Sequence, residues 1–437
     1  MKETIFTKLK KVLTNPEFWL VLIILIGFGI RLFNLPKEPF GNDLKYFQDW
    51  TTISLKDGIS NIYNSNSEKL PVDYPPVYLY VLTTLGNVSQ NMFNVDVNSS
   101  GFEYFIKFLN IYIDFGVSIF IYLIVMKLKN KTFAVISFAA YFLNPYVIYV
   151  TAIWGQVDSL ISFFTLASLY LYLTKYNKLS YSLMTLGLLT KFQVIVSAPF
   201  ILFHYLFSNT FKNTLKSALL AIFTAILIVS PFLFTGNIGK VVETYTSSTG
   251  RYPAISMNAY NLWWPFANPF ELFAVNSDTP LKDLSYSPSY KEGSFEKNQL
   301  LSSKNLAFFL FFICFIILCI NVVVNKDFDN LFLTMATGVL AFFTLNVQMH
   351  ERYLFPFFAI FALIFYKKLR YTVIFILLSI LGWINLMFVF SPNSIVTNFR
   401  KLTYPALTYV ISGLMVIILL TLIVEVIRNI IKGIRKY

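Results

Sequence analysis

Apolar runs of about twenty residues alternate along this chain with short clusters of lysine and arginine. The first run covers about Trp19–Leu35. Others cover about Glu103–Met126, Thr132–Thr151 and Gln156–Thr174, another ends near Thr235, and two more flank Lys367–Arg370. A helix of about 20 residues crosses a hydrocarbon core roughly 30 Å thick. In lipid each backbone polar group needs a partner within the segment, so such runs must be helices. The pattern predicts an all-α polytopic membrane protein with about 12 transmembrane helices.

The basic clusters orient those helices. Lys8, Lys10 and Lys11 precede the first run, and Lys127, Lys129 and Lys131 separate two others. Lys175 and Lys178, then Lys367, Lys368 and Arg370, then Arg428, Lys432, Arg435 and Lys436 complete the set. Cytoplasmic loops collect Lys and Arg. This predicts a multi-pass protein of the cell membrane with both termini cytoplasmic and the first loop, about Pro36–Gly101, outside. The stretch Val77–Phe93 then reads as a helix on the outer surface or a shallow re-entrant one. Leu179–Phe207 carries Lys191 in its middle. It reads as two short helices meeting at Lys191 on the outer face, because one tilted helix would bury the ammonium at a cost of several kcal/mol.

The whole of 1–437 is therefore read as one integral membrane domain with two large extracytoplasmic segments, 36–101 with its juxtamembrane helices and the loop 236–303. The loop is rich in Tyr, Trp, Ser, Asn and Pro. Long loops in compact proteins are usually functional. Rings that stack on sugar faces and amides that bond hydroxyls suit a saccharide; an aromatic belt at the membrane interface is the other reading.

Composition narrows the class. With 56% hydrophobic and 13% charged residues, the chain has too little polar surface for a soluble protein of its size. Its net charge of +13 sits in the clusters between apolar runs, which the membrane accounts for without nucleic acid. The first run lacks a cleavage site of small residues and reads as a retained anchor. Cys314 and Cys319 lie five apart in one run, a spacing that does not favour a disulfide.

The remaining charged residues gather at the outer ends of the runs. Asp43 follows the first run, with Phe47 and Trp50 at helical spacing, so a helix there is amphipathic and suited to lie on the membrane. Its carboxylate is a candidate general base on a hydroxyl acceptor, or a helix N-cap. Asp73-Tyr74-Pro75-Pro76 closes the first segment as an extended turn. Trp154-Gly155-Gln156-Val157-Asp158-Ser159 makes a polar notch at the junction of two spans, with capping as the simpler role for Asp158. Lys191 needs an anion, for which a lipid phosphate is a candidate, or it snorkels to the interface. In His350-Glu351-Arg352, Arg352 is suited to grip a phosphate and His350 to protonate one; an interfacial ion-pair cluster is the alternative. Asp114, in the middle of a run, reads as an interhelical hydrogen bond.

Taken together, Gly-x-Asp after the first span, Asp-Tyr-Pro-Pro, Trp-Gly-Gln-x-Asp, Lys-x-Gln and His-Glu-Arg-Tyr resemble the motifs of GT-C fold membrane glycosyltransferases. The nearest look is to bacterial relatives of the GPI-anchor mannosyltransferases, and more distantly to the dolichyl-phosphate-glucose glucosyltransferases. Ser256–Trp264 is similar to the same group, and the resemblance covers roughly residues 20–390. It implies an inverting transfer of a single sugar from a polyprenyl-phosphate donor to an envelope glycan, glycolipid or polymer on the extracytoplasmic face. Asp43 is the base it implies. Lys191, His350 and Arg352 match positions near the donor phosphate, and Gln156, Asp158 and Glu351 support them. Asp73, Tyr74, Asn258, Asn261 and Trp263 are weaker candidates for sugar or acceptor contacts. The second motif carries one acid in place of a pair, so no cofactor is expected and a divalent metal is doubtful. The expected partners are the donor, membrane lipid and a glycan or polymer acceptor.

Two alternatives stay open. A ligase or polymerase that moves a whole glycan would use the same donor chemistry. A transporter or flippase for a lipid-linked saccharide would need a polar path through the bilayer, and Asp114 reads as the only strongly buried charge.

Overall fold

The computed structural model describes residues 14–64, 72–246, 254–267, 302–391 and 394–435. Most of the 236–303 loop and the lysines at 8, 10, 11 and 436 lie outside the described residues. The described chain is mostly helical, with isolated bridges from Met257 and Asn258 to His350 and no strand among the described residues. Seven of its helices are long and apolar enough to cross a membrane, or eight if the pair Lys131–Phe142 and Pro145–Trp154, bent by 47°, counts as one span. Asp158–Leu173 and Phe192–Ser208 are shorter apolar helical segments.

The chain divides into two compact units. The first comprises Met1–Lys191, Ser217–Val241 and Phe358–Phe375. Its helices are α1 (Pro16–Asn34), α2 (Asp43–Asp57), α3 (Pro76–Phe93), α4 (Ser100–Leu128), α5 (Lys131–Phe142), α6 (Pro145–Trp154), α7 (Asp158–Leu173) and α8 (Asn177–Leu188), with most of α9 (Phe211–Phe234). Polar caps set several starts: Asn15 bonds Glu17 N ahead of Pro16, Asn130 bonds Phe133 N, and Asn144 bonds Tyr146 N ahead of Pro145. Each such side chain satisfies an amide that the first turn leaves without a helical partner, and proline fits where no amide is needed.

α2 and α3 form the helical pair expected after the first span. The apolar face of α2 does not meet lipid, however. Phe47 and Trp50 are each 3% exposed, packed against Tyr74, Tyr78, Leu79 and Leu82. The rings of Phe47 and Tyr78 meet edge to face at 5.1 Å. The period that makes a membrane-lying helix equally makes one that docks on protein, and a full burial stabilises by about 1.5–3 kcal/mol per large apolar side chain. Tyr80 of α3 also donates to Ile228 O of α9 at 3.0 Å.

The break expected at Lys191 is present. α8 ends at Leu188, the chain turns through Leu189-Thr190-Lys191, and a 3-10 turn, Phe192–Val196, leads into the next helix at Ala198.

Inside the first unit, Arg31 of α1 pairs with Asp114 of α4, both fully buried. Arg31 also donates to Phe142 O at 2.7 Å and lies 4.0 Å from the Phe142 ring centroid. Asp114 thus makes its interhelical bond, to a cation that the sequence reading passed over. Nor is it the lone buried charge, because Arg31, Lys107 and Glu425 are buried as well. Arg31 and Asp114 neutralise each other inside the first unit.

The second unit comprises Phe192–Lys216, Val242–Phe357 and Ile376–Tyr437. Within it α10 (Ala198–Ser208), α11 (Ser303–Val324), α12 (Phe328–Leu345) and α13 (Ala406–Ile434) pack together. Asn321 and Thr334 share a buried hydrogen bond of 2.8 Å, and His204 bonds the carbonyl of Lys326 at 2.9 Å. Cys314 and Cys319 of α11 are free thiols, as their spacing predicts.

Candidate active site

The first unit assembles most of the sequence-nominated acids and the lysine. Asp43 occupies the first turn of α2, while Asn42 holds the cap position and makes no side-chain cap bond. The Asp43 carboxylate accepts two hydrogen bonds on Oδ2, from Trp154 Nε1 at 2.9 Å and from Gln156 Nε2 at 2.5 Å. Trp154 is fully buried and Gln156 is 1% exposed. The Phe40 ring meets Trp154 edge to face at 4.8 Å.

The backbone explains how Trp154 and Gln156 come to share one acceptor. Tyr149–Trp154 is a π-helical turn, a form that concentrates at functional sites. It ends at Gly155, whose φ is +80°. A side chain is strained in that region, and a Cβ at Gly155 would also lie 3.1 Å from both Leu44 and Lys107. Asn110 of α4 donates to Gly155 O at 2.7 Å, and Gln156 N bonds Val150 O at 3.1 Å. Lys107 bonds the carbonyls of Leu35 and Lys37, holding the link that leads to Asp43. Neither Asn110 nor Lys107 was nominated from the sequence, because a polar residue inside an apolar run shows no partner until the helices pack.

Two residues after Gln156, Asp158 opens α7 behind a Val157 cap. Its carboxylate takes a 3.0 Å hydrogen bond from Lys191 Nζ, and both side chains are almost wholly buried. The cap role considered for Asp158 therefore gives way to an ion pair. Lys191 also sits 5.4 Å from the ring centroid of Tyr74, the aromatic residue of the Asp-Tyr-Pro-Pro turn. Val77 N, just after that turn, bonds Leu189 O at 2.9 Å and ties it to the break that presents Lys191. The Tyr74 ring then meets Trp50 of α2 at 5.4 Å and Tyr78 of α3 at 5.6 Å, both in tilted contacts. Burial and the neighbouring Asp158 charge both push the Tyr78 hydroxyl well above its ordinary range, so Tyr78 stays neutral. Asp73 is partly buried in the same turn.

Asp43 and Gln156 are bonded, Asp158, Lys191 and Tyr74 form a second contact group, and the chain from Gln156 to Asp158 joins the two across some 150 residues of sequence. The arrangement combines a carboxylate that accepts from Trp154 and Gln156 with a lysine held by a second carboxylate. The first is suited to accept a proton, and the second to meet an anion. An ammonium carries three N–H donors, so its bond to Asp158 does not exclude a phosphate oxygen.

His350, Glu351 and Arg352 belong to the second unit. Glu351–Leu354 is a 3-10 turn in which Glu351 is 1% exposed. His350 meets the Tyr353 ring at 5.1 Å, and Arg352 lies 5.8 Å from the same ring. The 254–267 segment runs alongside: Met257 N bonds Met349 O, and Gln348 N bonds Ile255 O. Asn258 has a φ of +66°, and its carbonyl accepts from Asn385. Asn261 and Trp263, nominated as sugar or acceptor contacts, hydrogen-bond to backbone carbonyls of the chain. Asn261 is fully buried, and its amide donates to Phe343 O and Asn346 O at the end of α12. Trp263 Nε1 donates to Leu345 O at 2.8 Å.

Among the described residues no group of three or more His, Cys, Asp or Glu is placed to hold a metal ion. Neither a family model nor a curated protein matches the sequence. Among solved structures the chain is similar to the apo crystal structure of the Archaeoglobus fulgidus oligosaccharyltransferase, at 12% identity and a TM-score of 0.44. The match covers 91% of this chain and 56% of that one, so the chain spans about half the length of that protein. A likeness this distant assigns neither family nor activity, and the chemistry has to be read from the residues.

Proposed function

We propose that the chain is a GT-C-like membrane glycosyltransferase that moves a single sugar from a polyprenyl-phosphate donor to an envelope glycan, glycolipid or polymer acceptor outside the cytoplasm. The observation that carries the reading is the Gln156–Asp158 segment in the first unit, which bonds the Asp43 carboxylate through Gln156 and the Lys191 ammonium through Asp158. The ordered motifs of the sequence support the same chemistry.

Asp43 takes the proton of the acceptor hydroxyl. The acceptor oxygen attacks C1 of the donor from the face opposite the phosphate, the C1–O bond to phosphate breaks, and the configuration inverts. Lys191 stabilises the leaving polyprenyl phosphate; a cation aimed at developing negative charge in a dry site is worth more than in water. The Tyr74 ring face lies 5.4 Å from the Lys191 ammonium. His350 and Arg352 are proposed as phosphate ligands on the chemistry of their own turn.

The test offers purified protein a panel of polyprenyl-phosphate sugars and measures release of polyprenyl phosphate. Asp43→Asn should lower turnover by about 10²–10⁴-fold, the usual contribution of a positioned base, while the protein still binds donor lipid. Turnover at the wild-type rate would show that Asp43 is not the base.

A further inference from the structure

The Asp43 carboxylate is gripped unusually for a residue in a first helical turn. Two neutral N–H donors converge on a single oxygen, Oδ2, and both come from side chains that are at least 99% buried. They flank Gly155, whose backbone is itself pinned by Asn110 and by the π-helical turn. Capping α2 does not require this arrangement, nor does packing its apolar face, which Leu44, Phe47 and Trp50 already accomplish.

We propose that Trp154 and Gln156 are positioning residues that lock the Asp43 carboxylate for proton abstraction. The proposal rests on Asp43 being the base. Even with the backbone fixed, an aspartate retains two side-chain torsions. Two donors on Oδ2 remove that freedom. They also tie the base to the Gly155–Asp158 turn that carries the partner of Lys191, so that one short segment bonds both Asp43 and Lys191. A base works only within hydrogen-bond reach of its proton, and a displacement of about 1 Å is enough to cost about 10²-fold in rate.

The experiment pairs kinetics with a signature of the bond itself. Trp154→Phe keeps an aromatic ring and removes the N–H; Gln156→Met keeps the length and removes the amide. Each should lower kcat for polyprenyl-phosphate release by about 10- to 100-fold and leave the donor KM unchanged. The chain has six tryptophans, so an indole ¹⁵N–¹H spectrum is sparse. The signal that disappears in Trp154→Phe should be the one that shifts most in Asp43→Asn. That arm requires no turnover; Trp154→Phe serves only to assign the signal, and the shift is read between wild type and Asp43→Asn.

Wild-type kcat in both positioning variants, with Asp43→Asn inactive, would overturn the positioning role and leave the base intact. A raised KM with normal kcat would overturn it too, because that marks lost substrate binding. An indole spectrum unchanged by Asp43→Asn would show that the bond is absent. Wild-type turnover of Asp43→Asn would remove the base reading and this inference together.

Discussion

Removing one partner of the Asp158–Lys191 pair should harm the fold more than removing both. Their side chains are 2% and 5% exposed at 3.0 Å, which leaves little water to receive an orphaned charge. At an effective dielectric of 20 the Coulomb attraction over that distance is about 5–6 kcal/mol before desolvation. Desolvation consumes much of it, and breaking a buried pair from one side costs roughly 3–5 kcal/mol, whereas replacing both charges is often near neutral. Lys191→Met leaves Asp158 buried without its lysine partner; Asp158→Asn removes the carboxylate that Lys191 pairs with and keeps the ring contact to Tyr74, worth about 0.5–2 kcal/mol. The double variant removes both charges together. Tryptophan fluorescence of the detergent-solubilised protein, followed during heating at one scan rate, should rank the midpoints as wild type, then double variant, then either single. The coupling between the two sites should be about 3 kcal/mol. If the double variant loses the sum of the two single losses, the residues do not form a buried pair, and the assignment of Lys191 to the same site as Asp158 falls.

Other perturbations test the supports of the site. Gly155→Ala places a Cβ at φ +80° and 3.1 Å from Leu44 and Lys107, so it should cost about 1–3 kcal/mol and lower turnover, while a glycine-to-alanine change at the exposed Gly29, where a Cβ meets nothing within 4 Å, should leave turnover unchanged. Asn261→Ala strands the carbonyls of Phe343 and Asn346 and should destabilise the protein by about 1–3 kcal/mol per group, seen as a lower midpoint; a normal midpoint with lost turnover would return Asn261 to a substrate-contact role. Arg31→Met should reduce the yield of folded protein more than the double variant Arg31→Met, Asp114→Leu, because the single change leaves a fully buried carboxylate; size-exclusion recovery after membrane extraction measures both.

Sequence pattern went furthest where one physical rule acts along the chain. Apolar runs of bilayer length dictate helices, and the charge of Lys191 inside a long run dictated a break, which the structure places between Leu188 and Phe192. The reading was weaker wherever a residue's meaning depends on what lies opposite. Phe47 and Trp50 have the spacing of a membrane-lying helix, yet they bury against Tyr74 and Tyr78. Asp158 had the position of a cap and turned out to hold Lys191, thirty-three residues on. Arg31 went unnoticed because an arginine near the end of an apolar run looks like an interfacial charge until Asp114 is brought against it.

By itself, then, the sequence determined the helical, membrane-embedded class and nominated the polar residues from which a site could be built. Those properties follow from hydrophobicity and charge summed over short windows, which need no knowledge of partners. Tertiary structure alone decided that Trp154 and Gln156 donate to Asp43, that Lys191 is held by Asp158 and Tyr74, and that Asn261 and Trp263 serve the end of α12. Hydrogen bonds and ion pairs act over about 3 Å, and only packing brings residues over a hundred positions apart to that distance.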